Sequence, residues 1–146
     1  MADTGPTFNQ FNLVVEDMAA TVAFYRLLGL VIPDTAPAYQ QHHRSVAGGG
    51  MDLDFDSVAF AQHWNQGWPA RPGGGMGVLG LRLASRAAVD ATYAAATGAG
   101  YASQQPPCDT FWGARYAIVQ DPDGNAVGLM SPVDPAMRRD DGFPGA

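Results

Sequence analysis

The chain has 146 residues, a formal net charge of −6 and 47% apolar residues, enough for one compact domain or two small modules sharing a core. The acidic balance, with no Lys/Arg cluster beyond Arg138-Arg139, argues against a nucleic-acid surface. No apolar run approaches the roughly 20 residues that span a bilayer, and no charged-then-apolar leader is in view, so no membrane partner and a cytoplasmic location are expected.

Residues 8–15 alternate, with Phe11, Leu13 and Val15 on one face and Gln10, Asn12 and Val14 on the other, which predicts a first strand. Asp17 stands where an N-cap belongs. Residues 18–28 carry Met18, Val22, Tyr25 and Leu28 at helical spacing, and Gly29 follows, so both helix ends are marked. Residues 31–32 and 39–46 read as strands, 47–50 as a glycine turn, and 51–55 as another alternating strand. A short helix is expected at 58–65, then a Gly/Pro linker at 69–77.

The opening pattern then returns. Residues 78–83 alternate, Ser85 is a second N-cap, and residues 87–97 form a helix that Gly98 and Gly100 end. A strand near 101–104 precedes a loop through Pro106-Pro107-Cys108. Cys108 is the only cysteine, so an internal disulfide is excluded and the residue is read as a loop thiol. The run Asp121-Pro122-Asp123-Gly124-Asn125 is a hairpin turn with a mechanism. Pro122 presets φ, Gly124 accepts positive φ, and Asp121 and Asn125 bond nearby backbone. Strands flank it at 116–119 and 126–130. The chain thus reads as a weak internal duplication of β-α-β-β-β, with modules at 1–56 and 78–131, a connection at 57–77, and a flexible tail at 132–146, all within one structural domain.

Three stretches, LVVEDMAATVAFYRLLGL (13–30), the repeated opening at 78–83, and WGARYAIVQDPDGN (112–125), together resemble the vicinal oxygen chelate superfamily of glyoxalases, bleomycin resistance proteins and extradiol dioxygenases. The resemblance implies an α+β fold of paired β-α-β-β-β modules whose mixed sheets curl into a cleft, usually completed in a homodimer. It does not imply one activity. Metal-dependent members place ligands on the first and last strand of each module. Carried over, these positions fall on Gln10, on Asp52 or Asp54, on Val78, and on Gly128, where a glutamate is usual. Val78 and Gly128 offer no donor, and Glu16 is the only glutamate in the chain. A divalent ion needs several converging N or O ligands, so no metal and no other cofactor is expected.

Adjacent His42 and His43 on a strand would point to opposite faces. A general-base role stays open for whichever faces the cleft, although the sequence identifies no partner carboxylate for it. The residues expected to line the ligand site are Gln10, Asn12, Trp64, Trp68, Arg82, Phe111 and Trp112. The tryptophans offer flat faces for stacking on a planar ligand, and the acidic balance favours a cationic one. Each has a competing structural role: Trp112 packing its loop, Trp64 anchoring a helix, Arg82 pairing with Asp52 or Asp54. The resulting expectation is a metal-free protein that binds a planar antibiotic or natural product reversibly. The alternatives are a lyase, isomerase or dioxygenase of the same superfamily, metal-dependent or working by metal-free acid-base chemistry, and a partner-binding domain with a filled cleft. The Ala, Gly, Pro and Arg bias points to a high-GC bacterial genome.

Overall fold

The computed structural model describes residues 10–64 and 77–139, which fall into two compact units divided between residues 72 and 73. The first unit contains β1 (Gln10–Val15), α1 (Met18–Leu27), β2 (His43–Ala47), β3 (Asp52–Ser57) and α2 (Val58–Trp64). Its sheet runs in the order β1-β3-β2, with β1 parallel and β2 antiparallel to β3. Asp17 is extended and its carboxylate accepts the Ala20 N–H at 3.0 Å, fixing the start of α1. Gly29 takes φ +104 just past the end. The apolar stripe of α1 then seats on the sheet: Tyr25 and Phe55, both fully buried, place their ring centroids 4.9 Å apart.

Two expected strands change here. Residues 31–32 form no strand, so the first unit shows β-α-β-β among its described residues rather than β-α-β-β-β. Pro33 and Pro37 have no N–H to give a ladder. The carbonyls of Ile32 and Pro33 are instead taken by side chains, by Arg26 and by the buried Arg44, the latter through Nε at 3.1 Å and Nη2 at 2.7 Å. The strand expected at 39–46 begins only at His43, because the Tyr39 carbonyl accepts the N–H groups of His42 and His43 at 2.8 Å in a tight turn.

The second unit shows the full β-α-β-β-β order: β4 (Val78–Arg82), α3 (Arg86–Gly98), β5 (Ser103–Asp109), β6 (Arg115–Gln120) and β7 (Ala126–Met130), followed by a short 3-10 turn, Pro135–Met137. Its sheet order is β4-β7-β6-β5, with β4 parallel to β7. Ser85 caps α3 by accepting the Ala88 N–H at 3.0 Å. Val89 and Ala96 of α3 are fully buried, as are Ala117, Val119, Val127 and Leu129 of the sheet, and small side chains let helix and sheet approach closely. In the β6–β7 turn one Asp121 carboxylate oxygen accepts the N–H groups of Asp123 and Asn125, the other accepts the Asn125 amide, and Gly124 takes φ +83.

Cys108 lies within β5, not in a loop. Pro106 and Pro107 are accommodated by two register shifts against β6, which an edge strand tolerates because it has a side with no ladder to complete. Residues 132–139, the first half of the expected flexible tail, are tied to the loop before β6. The Asp134 N–H donates to the Gly113 carbonyl at 2.9 Å and the Arg139 N–H to the Phe111 carbonyl at 2.7 Å.

Candidate functional site

Strand alternation sorts the side chains of the first unit. Leu53 and Phe55 are buried on the helix side of β3, so Asp52, Asp54 and Asp56 take the other face. Parallel register sets Gln10 and Asn12 of β1 beside Asp52 and Asp54, and antiparallel register sets His43 opposite Asp56 and Ser45 opposite Asp54. The result is an open cavity of about 280 Å³ lined by Gln10, Asn12, His43, Asp54, Asp56 and Phe60.

Its centre is Asp56, whose side chain is 1% exposed. One carboxylate oxygen lies 2.6 Å from His43 Nδ1, and the other accepts the Asn12 amide at 2.8 Å. Asn12 in turn accepts from Gln10 at 2.6 Å. A carboxylate only accepts, so the hydrogen bond assigns a proton to Nδ1. Phe60 tilts at 35° onto the imidazole, with centroids 5.3 Å apart. His42 is elsewhere, its Nδ1 2.9 Å from Ser57 Oγ, and His63 is an exposed residue of α2.

The second unit carries a pocket of about 410 Å³ lined by Gln105, Cys108, Asp109, Thr110, Phe111, Trp112, Tyr116 and Arg139. Phe111 meets Trp112 edge-on at 5.0 Å, and Trp112 meets Tyr116 at 5.6 Å. Trp112 both packs and lines the pocket: its indole N–H donates to Met130 Sδ at 3.3 Å while its ring forms part of the wall. Gln105 donates to Cys108 Sγ at 3.4 Å, and Cys108 lies opposite Tyr116 in the β5–β6 register. Burial, and secondarily the negative charge a Cys108 thiolate would add, hold the Tyr116 phenol above its ordinary value, so it remains a donor through neutral and mildly alkaline pH. Asp109, at the rim, is paired with Arg86 and Arg115.

The seven predicted residues therefore divide. Gln10 and Asn12 belong to the polar site of the first unit, Phe111 and Trp112 to the aromatic pocket of the second. Arg82 lies exposed at the end of β4 beside Met130 and makes no ion pair among the described residues, while Asp54 accepts from Ser45 Oγ at 2.6 Å. Trp68 and the side chain of Trp64 lie outside the described residues. Sequence reasoning missed Asp56, Phe60, Gln105 and Tyr116. The Asp-x-Asp-x-Asp run at 52–56 signalled three acids on one face, but pairing Asp56 with His43 needed the register.

The donor set does not fit a family-type metal site. Val78 is half exposed and has no donor atom. Gly128 is buried, and a Cβ there would meet the Tyr116 phenol oxygen at 2.6 Å, so a tyrosine lies across the position where a ligand carboxylate is usual. Among the described residues, no three His, Cys, Asp or Glu side chains converge as metal ligands.

Comparison with known proteins agrees with the architecture. A glyoxalase-related enzyme from Fulvimarina pelagi superposes with a TM-score of 0.72 at 19% identity, covering 86% of this chain and 88% of its own. Lactoylglutathione lyase from Agrobacterium tumefaciens gives 0.63 at 19% identity, with coverage of 88% and 96%. TioX from Micromonospora sp. ML1 gives 0.58 at 20% identity, with coverage of 86% and 98%. At such identities the likeness is one of fold. No curated protein sequence matches the chain significantly. The family model for the Glyoxalase/Bleomycin resistance protein/Dioxygenase superfamily matches residues 7–129, and the chain belongs to that superfamily.

Proposed function

We propose that this chain binds a small planar molecule reversibly and without a metal, through the aromatic pocket of its second unit. The observation that carries the reading is the set Phe111, Trp112 and Tyr116 around a cavity of about 410 Å³, with Tyr116 lying over Gly128 where a metal ligand would otherwise stand. Aromatic walls supply stacking at about 0.5–1.5 kcal/mol per pair beyond area burial, while the Gln105 amide and the Tyr116 hydroxyl fix orientation. The net charge of −6 disfavours anionic ligands at long range. The reading extends to a bacterial, cytoplasmic homodimer acting by sequestration of an antibiotic or other natural product.

The test is equilibrium binding of a panel of planar antibiotics, followed by tryptophan quenching and calorimetry, in protein stripped of metal by chelation. Binding that survives chelation and weakens about tenfold in Trp112→Ala, a loss of about 1.4 kcal/mol, supports the reading. Binding that requires an added divalent ion, or that ignores Trp112, overturns it.

A further inference from the structure

The polar site of the first unit has a chemistry that ligand stacking does not use. Asp56 is a carboxylate with 1% of its side chain exposed, bonded to two partners, Asn12 and the His43 imidazole. Among the described residues no arginine pairs with it; Arg44, the next residue of β2 after His43, bonds Pro33 and Asp34 instead. A buried carboxylate holding Nδ1–H fixes the tautomer that leaves the other ring nitrogen, Nε2, with a lone pair. His43 keeps 35% of its side chain exposed and lines the cavity, and Phe60 holds the ring plane. Orientation by a carboxylate on one nitrogen and access at the other are what a general base requires.

From this juxtaposition we infer that His43 is a general base, positioned by Asp56, that takes a proton from an acidic C–H or O–H of a small planar substrate seated between Phe60 and the amides of Gln10 and Asn12. In the step the substrate's C–H bond breaks, its electron pair stays with the substrate, and an N–H bond forms at His43 Nε2. The imidazolium so formed is balanced by Asp56, and the proton returns to a second substrate atom or to water. An isomerisation or elimination of this kind needs no oxidant, reductant or metal. The activity uses none of the residues that line the aromatic pocket, so either reading survives failure of the other.

A suitable probe is nitrobenzisoxazole, a small flat molecule whose ring C–H is removed by a base as the N–O bond breaks, releasing a coloured cyanonitrophenolate. The full-length protein is expected to open it with saturation and faster than free imidazole at equal concentration. His43→Gln, at a part-exposed position that tolerates the change, is expected to lower the rate about 100-fold or more. His42→Ala is expected to leave it unchanged. Asp56→Asn, checked for folding by circular dichroism and melting, is expected to lower kcat about tenfold with KM nearly unchanged, by releasing the wrong tautomer. Long-range proton–nitrogen NMR of the wild type should show His43 protonated at Nδ1, and that preference should vanish in Asp56→Asn. A wild-type rate no greater than free imidazole, or a His43→Gln rate equal to wild type, overturns the inference. So does a wild-type spectrum with the proton on Nε2.

Discussion

The phenol oxygen of Tyr116 lies 2.6 Å from the point where a Cβ on Gly128 would sit, and two of its ring carbons lie at 3.0 and 3.1 Å. The two residues are on neighbouring strands, Gly128 facing Ile118 and Tyr116 facing Met130 in the β6–β7 register. The glycine is what lets the phenol lie flat across the sheet. Gly128→Ala must push the ring towards the pocket, at a cost of about 1–3 kcal/mol typical of overpacking. Tyr116→Phe in the same background removes the closest atom and should recover part of that loss. A double-mutant cycle by chemical denaturation checks this, and additive single effects would refute the contact as the cause.

The same phenol predicts a pH response. Its folded value is raised, by burial first and Cys108 second, so the folded state binds the proton more tightly than the unfolded chain does. The stability it contributes is fully present below the ordinary tyrosine value of about 10 and is lost as pH rises through the folded value. Tyrosinate absorbance should show a late-titrating component that Tyr116→Phe removes. If the late component persists in Tyr116→Phe, another tyrosine is responsible.

Gly113 takes φ +94, and a Cβ there would run into the Asp134 carbonyl oxygen. Gly113→Ala therefore combines backbone strain of about 1–3 kcal/mol with a direct clash. It should loosen the segment 132–139 that borders Phe111 and Trp112. Hydrogen exchange should speed at the Asp134 and Arg139 amides, whose bonds to Gly113 and Phe111 hold that segment, before it speeds in β6. Uniform loss of protection throughout the unit would instead mean global destabilisation.

Helices α1 and α3 each depend on one capping side chain. Asp17→Ala and Ser85→Ala each remove an acceptor at 3.0 Å from a helix N–H, which costs about 0.5–2 kcal/mol, or a few degrees of melting temperature. The Gly variants at the same sites should lose only a few tenths. Thermal melts of the four variants decide the matter.

Those caps were legible because a cap is a local event: Asp17 and Ser85 act on residues three positions away. The Asp121–Asn125 turn was legible for the same reason. Non-local choices were less so. The strand expected at 31–32 fails because Arg26 and Arg44, 6 and 11 residues from their acceptors Ile32 and Pro33, satisfy carbonyls that a strand would have paired. Cys108 looked like a loop residue because two prolines precede it, and an edge strand turned out to absorb them. At the candidate sites, the types Gln10, Asn12, Phe111 and Trp112 stood out by chemistry. The partner of His43 did not, because three aspartates alternate along β3 and only the β2–β3 register selects Asp56.

The parallel pairing of β4 with β7 has a consequence for synthesis. β7 is the last strand of its unit to be made, yet in the order β4-β7-β6-β5 it lies inside the sheet and joins β4 to the rest. Until residues 126–130 have left the ribosome, β4 lacks its strand partner among the described residues and the apolar residues of α3 have only part of their platform. This half of the protein is then obliged to fold late and all together. A nascent chain stalled before Ala126 would be a sticky client for chaperones, whereas one released a few residues beyond Met130 could close at once.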